Sequence, residues 1–316
     1  MFLPKKIVPY ATALLSAPYR FNVVYLSYFV DRSHDFLTRS LQTKVYRWKT
    51  ILVHFLWNKC LNLGYLIIDE TDIDKSFAEN IKGLSWVFSH RKNKHIFGYH
   101  IVAVVWTNGT ITIPLGWKVY NKRNGKTKID LALELIVYCT GALKIKPKAW
   151  LFDSLYASEK ILKFLNRSDL LFYCQIPKNR LFNHQQLKYH NKGRPYWTEC
   201  GYIKGKLYVQ IVKNRRKYFL TNNIGITRKE QLGTYKIRWK IEEVFRFVKQ
   251  ELGFERCQCR SLTAQNNHFG VCFFLYATLQ DTAENTQLTD YQLKTKAIRN
   301  ELSFEDIVMS AFDDSA

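Results

Sequence analysis

Residues 235–249 read Tyr-Lys-Ile-Arg-Trp-Lys-Ile-Glu-Glu-Val-Phe-Arg-Phe-Val-Lys. On a helix advancing about 100° per residue, Tyr235, Arg238, Glu242 and Lys249 fall within an arc of about 60°. Ile237, Ile241, Val244, Val248 and Leu252 form a separate apolar stripe suited to packing on a sheet. The pattern predicts one helix from about Thr234, which can cap it, to Leu252, closed by Gly253. Glu243 points elsewhere, so helical phase selects Glu242 as the functional acid and puts Arg246 on the same polar face. The plainer alternative is surface pairing of Glu242 with Arg238 or Arg246, contributing about a few tenths of a kcal/mol.

Upstream, Tyr65-Leu-Ile-Ile-Asp69 is a short continuous apolar run ending in an acid, the pattern of a strand buried on both faces. Two β-rich runs follow, 99–106 and 110–120, joined by Thr107-Asn108-Gly109, a hairpin turn signal. A helix over 128–143 leads to Lys148–Asp153, a second strand ending in an acid. A helix over 158–165 and a strand over 169–176 come next. A basic, turn-rich stretch at about 177–233 carries its own hairpin, 206–212 against 217–221, and precedes the acid helix. Three strands, helix, strand, helix, strand, insertion, helix is the ribonuclease H-like order. The expected fold class is therefore α/β: a mixed sheet flanked by helices, with a β-rich insertion before the third-acid helix and an N-terminal helical segment. Asp69 and Asp153 have duller readings, as a turn acid and a helix cap. Asp72 or Asp74 stands in for Asp69 if the register is shifted.

Tyr-x2-Arg-x3-Glu-x6-Lys, matched by Tyr235, Arg238, Glu242 and Lys249, resembles the signature of DDE transposases of bacterial insertion sequences, the insertion sequence four family. The segments Leu-Ile-Ile-Asp69-Glu-Thr and Trp-Leu-Phe-Asp153-Ser resemble that family's first and second acid segments, and the resemblance spans about residues 62–283. It implies a polynucleotidyl transferase and endonuclease that cleaves DNA and transfers the freed 3′-OH to a target phosphate. It implies Asp69, Asp153 and Glu242 as catalytic ligands of two Mg²⁺ ions, which Mn²⁺ can replace, with Asp69 bridging them. Carboxylates are the ligands Mg²⁺ prefers, and two such ions about 4 Å apart can serve the attacking and leaving oxygens of a phosphodiester together. Tyr235, Arg238 and Lys249 are implied as contacts to terminal phosphates, and the geometry of the helix adds Arg246. Relatives with a β-rich insertion use it to hold a flipped base, but Trp197, in the insertion here, reads better as core.

The charge agrees with such a partner. Forty-eight Lys and Arg against 26 Asp and Glu leave +22, which points to a polyanion, nucleic acid first, rather than to an acidic small molecule, and the resemblance implies double-stranded DNA, as transposon ends and target. Two basic stretches, Ser89–His95 and Lys213–Lys217, are further candidates for tracking a DNA backbone, or are simply solvated. Seven scattered cysteines imply a reducing compartment, which the resemblance makes a bacterial cytoplasm; Cys257-Gln-Cys259 has no second pair at zinc-finger spacing. No apolar run approaches the roughly 20 residues of a membrane span. We divide the chain into an N-terminal helical, DNA-binding part (1–61), the catalytic domain (62–283, insertion at about 177–233) and a tail (284–316). The acidic tail reads equally as a helix docking a second subunit, in a homodimer, or as flexible chain. Two other functions stay open: a DNA-binding relic without transposition activity, and a ribonuclease H-like nuclease of another role.

Overall fold

The computed structural model describes residues 3–56, 59, 61–78, 80–89, 92–204 and 206–310. Four short helices come first, α1 (Val8–Ser16), α2 (Val23–Leu26), α3 (His34–Gln42) and α4 (Trp48–Val53). Asn22 and Ser33 cap α2 and α3 through their side-chain oxygens. The sheet then opens with β1 (Tyr65–Asp74), β2 (Ser85–Ser89), β3 (Lys94–Thr107) and β4 (Thr112–Tyr120). After α5 (Lys128–Val137) and a π turn at Tyr138–Ala142 come β5 (Ala149–Phe152), α6 (Glu159–Arg167) and β6 (Phe172–Ile176).

The insertion comprises β7 (Leu181–Phe182), β8 (Gln185–Gln186), β9 (Tyr196–Ile203), β10 (Leu207–Asn214) and β11 (Lys217–Thr221). Helices α7 (Arg228–Lys236), α8 (Trp239–Glu251), α9 (Leu262–Thr286), α10 (Asp290–Ile298) and α11 (Phe304–Ser310) complete the chain.

The strands make one mixed sheet in the order β2-β3-β1-β5-β6-β11-β10-β9-β7-β8, with β4 also paired to β3. β1 runs antiparallel to β3 and parallel to β5, and β5 runs parallel to β6. This is the expected ribonuclease H-like mixed sheet. β2 was not anticipated: it is a five-residue strand that pairs with the first residues of β3, which starts at Lys94 rather than near Tyr99. Its Trp86 is exposed and Val87 buried, too short an alternation to stand out. The Ser89–His95 stretch accordingly holds the last residue of β2 and the first two of β3; His90 and Arg91 in it lie outside the described residues, as do Cys60 and residues 311–316 of the tail.

The insertion does not form a sheet of its own. β11 pairs antiparallel with β6, Thr221 opposite Tyr173, so the central sheet continues into it without a break. Trp197 is buried there beside Tyr218.

The acid helix also departs from expectation. Thr227 caps α7, in a capping box with Glu230, and the helical stretch therefore begins seven residues before Thr234. Around Arg238 the backbone stays right-handed helical, but the hydrogen bonds shorten to the third residue back, Arg238 N to Tyr235 O (3.0 Å) and Lys240 N to Ile237 O (3.0 Å). Such a 3₁₀ turn advances about 120° per residue instead of 100°. Three such steps bring Tyr235 and Arg238 into line, with the guanidinium 5.9 Å from the Tyr235 ring centroid, while the ring also packs on Phe219 of β11. From Ile241 onward the apolar stripe is as expected: Ile241, Val244, Val248 and Leu252 are buried.

Candidate active site

β1 and β5 are the foundation. Ile68 lies opposite Phe152 in their parallel register, so Asp69 and Asp153 follow at the same level: Asp153 just past the end of β5, and Asp69 inside β1, which runs five residues beyond the strand end expected there. Both strands are apolar up to that point because they are covered on both faces; beyond it β1 stays covered on one face only, where Asp69, Thr71 and Ile73 are buried. Successive strand residues face opposite ways, so Asp72 and Asp74 lie on the other face of β1 from Asp69. Asp74 is paired with Lys92, and Asp72 lies 3.3 Å from His100 Nε2. Neither shifted-register alternative shares a face with Asp69.

Asp69 accepts a hydrogen bond from the Glu70 amide (2.8 Å), and Asp153 accepts from the amides of Leu155 (2.9 Å) and Tyr156 (3.4 Å). Asp153 thus does make the turn contacts of a cap-like acid while standing beside Asp69. Burial raises the Asp69 carboxyl to about 7; Arg238 and the Glu70 amide oppose the rise, while Asp153 and Glu242 add to it. Burial also raises Asp153.

Glu242, in the first turn of α8, reaches this pair through Arg238. One guanidinium nitrogen donates to Asp69 Oδ2 and the other to Glu242 Oε1 at 2.7 Å. Glu243 faces away, to Lys240 at 2.9 Å. Among the described residues, no three His, Cys, Asp or Glu side chains are gathered closely enough to hold an ion: Arg238 stands between Asp69 and Glu242.

The profile of the family described as Transposase DDE domain matches residues 64–278, which include Asp69, Asp153 and the whole of α8. The chain belongs to this family. The cryo-EM structure of a piggyBac transposase synaptic complex with hairpin DNA is similar in fold, with a TM-score of 0.57 over 98% of this chain and 71% of that one, at 10% identity. No curated protein matches the chain.

The protein is thus a DDE transposase, an enzyme of DNA cleavage and transposition from a family that generally requires divalent metal. No helix among its described residues is long and apolar enough to cross a membrane. Of the basic residues singled out by sequence, Arg246 is exposed on α8. Lys249 is not on an open face: its ammonium donates to the Asp72 carbonyl (2.6 Å) and pairs with Glu255 (2.8 Å), tying the last turn of α8 to β1.

Beside the acids the transposase carries a polar network that sequence reading missed. Glu70 pairs with Lys128 (2.6 Å), accepts from the Tyr156 hydroxyl (3.1 Å) and lies 3.5 Å from His100. Burial pushes Glu70 up, but the His100 ring and Lys128 outweigh it and hold its carboxyl below the usual range. Tyr156 belongs to both systems, its amide facing Asp153 and its hydroxyl Glu70. The available signal was its place three residues after Asp153, within reach of a turn.

Proposed function

We propose that this transposase is of the insertion sequence four type, and that Asp69, Asp153 and Glu242 hold two Mg²⁺ ions, replaceable by Mn²⁺, at which DNA ends are cut and joined. The observation that carries this reading is the level placement of Asp69 and Asp153 on adjacent parallel strands, with Arg238 linking Asp69 to Glu242. The donor set fits a hard cation: every ligand is a carboxylate oxygen, and burial together with neighbouring negative charge lifts Asp69 to about 7, a cluster short of positive charge.

Divalent ions held there supply activation of the attacking oxygen and stabilisation of the leaving one. The chain's own residues do the positioning. β1 and β5 fix two carboxylates through ladder hydrogen bonds, and α8 brings the third while its apolar stripe anchors it. Arg246, exposed on α8, meets a DNA phosphate. Arg238 and Tyr235 take the terminal phosphates at the α7–α8 turn, and Lys249 joins them only by exchanging Glu255 for a phosphate. The substrate is double-stranded DNA, as element ends and target, and the enzyme works as a homodimer holding two ends. Residues 1–61 are a helical part that contributes to DNA binding while packing into the same core as the catalytic domain (62–283), and a tail follows (284–316), with a bacterial cytoplasm as the location.

The test is cleavage and strand transfer on DNA carrying the element's ends, with and without Mg²⁺. Asp69→Ala, Asp153→Ala and Glu242→Ala should each lower the rate at least a thousandfold, on the order of the loss of a catalytic group, while DNA binding persists. Full activity in any one of them removes that residue from the ligand set.

A further inference from the structure

We infer that Arg238 is the resident counter-cation of the acid cluster, and that a divalent ion enters by displacing its guanidinium from Asp69 and Glu242. This rests on the carboxylate reading above and adds to it a competitor built into the chain.

The geometry is that of a fork used on two prongs. One Nη of Arg238 is on Asp69 Oδ2, the other is 2.7 Å from Glu242 Oε1, and the Arg238 side chain is only 15% exposed. Planar guanidinium normally takes both oxygens of one carboxylate. Here it spans two carboxylates from different elements, β1 and α8, and among the described residues it is the cation paired with Glu242. The oxygens it occupies are the ones a hard ion would need. The carboxylates keep further lone pairs, but a cationic guanidinium lodged between Asp69 and Glu242 occupies the space and repels a second cation, so ion and guanidinium compete for the same place.

The single positive charge is also too little for three acids, so a divalent ion is the better match electrostatically. Arg238 has somewhere to go. Its guanidinium lies 5.9 Å from the Tyr235 ring centroid, across the tight α7–α8 turn. Released from the acids, it becomes available to a phosphate. Metal and DNA therefore favour one another: whichever arrives first weakens the hold of Arg238 on the site, and the coupling is reciprocal.

The experiment is a Mn²⁺ titration of the full chain without DNA, following free Mn²⁺ by electron paramagnetic resonance. Arg238→Gln should bind Mn²⁺ more tightly than the unsubstituted protein by on the order of tenfold, with Arg238→Lys between them, since an ammonium cannot bridge two carboxylates in the same way. Structural damage would move affinity the other way. A DNA duplex should tighten Mn²⁺ binding to the unsubstituted protein and do so much less in Arg238→Gln. Asp69→Asn separates the two levels. If it loses Mn²⁺ while Arg238→Gln binds equally or more weakly than the unsubstituted protein, the displacement inference falls and the carboxylate reading stands. If Asp69→Asn binds Mn²⁺ unchanged, both fall. Should Arg238→Gln fail to fold, Arg238→Lys decides alone, tighter binding supporting displacement and equal or weaker binding overturning it.

Discussion

Tyr156 shows how much of a site can rest on a single hydroxyl. Its O–H is the link between Glu70 and the turn carrying Asp153, and it is fully buried. Tyr156→Phe should cost about 1.5–3 kcal/mol of stability, the worth of a hydrogen bond to a charged group. It should also lower metal-dependent cleavage more than DNA affinity, measured by denaturant unfolding and by cleavage at saturating DNA. Unchanged cleavage would show that the turn holds Asp153 unaided. His268 carries a pH prediction. Tyr10 donates to its Nδ1 at 2.8 Å, its Nε2–H donates to the Gly253 carbonyl at 3.0 Å, and burial lowers the ring to about 3. Between pH 6.5 and 3 the unfolded chain takes a proton that the folded ring refuses. Its contribution is therefore intact above pH 6.5 and falls by about 1.4 kcal/mol per pH unit as the solution is acidified through that window. Urea midpoints at pH 7 and 5 should differ accordingly, and His268→Gln, which can keep both hydrogen bonds, should flatten the slope. Asp69 and Asp153 were legible because each ends an apolar run. The Glu70 network was not, because Lys128 and Tyr156 come from 58 and 86 residues away and no periodicity announces them.

Among the elements, α8 was legible in composition but not in where it starts. Thr234 and Thr227 are both plausible caps, and only Thr227 has an acid three residues on, at Glu230, to close the capping box. The tight turn at Arg238 has no Gly or Pro to mark it. The far end was readable: Gly253 follows α8 with φ +59°. A Cβ there would also collide with the Phe21 ring. Gly253→Ala should therefore destabilise by about 1–3 kcal/mol, combining left-handed strain with overpacking. A thermal melt within a degree of the unsubstituted protein would mean that Phe21 and the loop yield freely. In β3, a Cβ at Gly98 would strike the Ile73 carbonyl oxygen in the strand that holds Asp69.

Over the whole molecule, the N-terminal helices are part of the same core as the sheet. Trp48 Nε1 donates to Asn267 at 3.0 Å, Tyr10 meets His268, and buried Lys294 of α10 donates to the carbonyls of Leu14, Leu15 and Ala17 at the end of α1. Residues from Leu3 to Val308 fall in one apolar cluster. Removing residues 1–56 should expose the apolar face of α9 and abolish cooperative unfolding, read by near-ultraviolet circular dichroism. A truncated chain that stays soluble with an unchanged melt would make the segment separable after all. The +22 charge made a polyanionic partner legible at this scale; the merging of segments did not show, because no linker composition distinguishes a docked helix from a detached one.

The unbroken sheet makes the insertion a cantilever rather than a tethered flap. The Lys213–Lys217 tip is joined to Asp153 and Asp69 through β11, β6, β5 and β1, each locked to the next by ladder bonds. Its distance from the acids is consequently quantised by strand register, about 3.3 Å per residue. Swapping insertions between relatives should work only as whole strand pairs spliced at Tyr173 and Thr221, because a one-residue slip would turn every side chain of β11 to the opposite face.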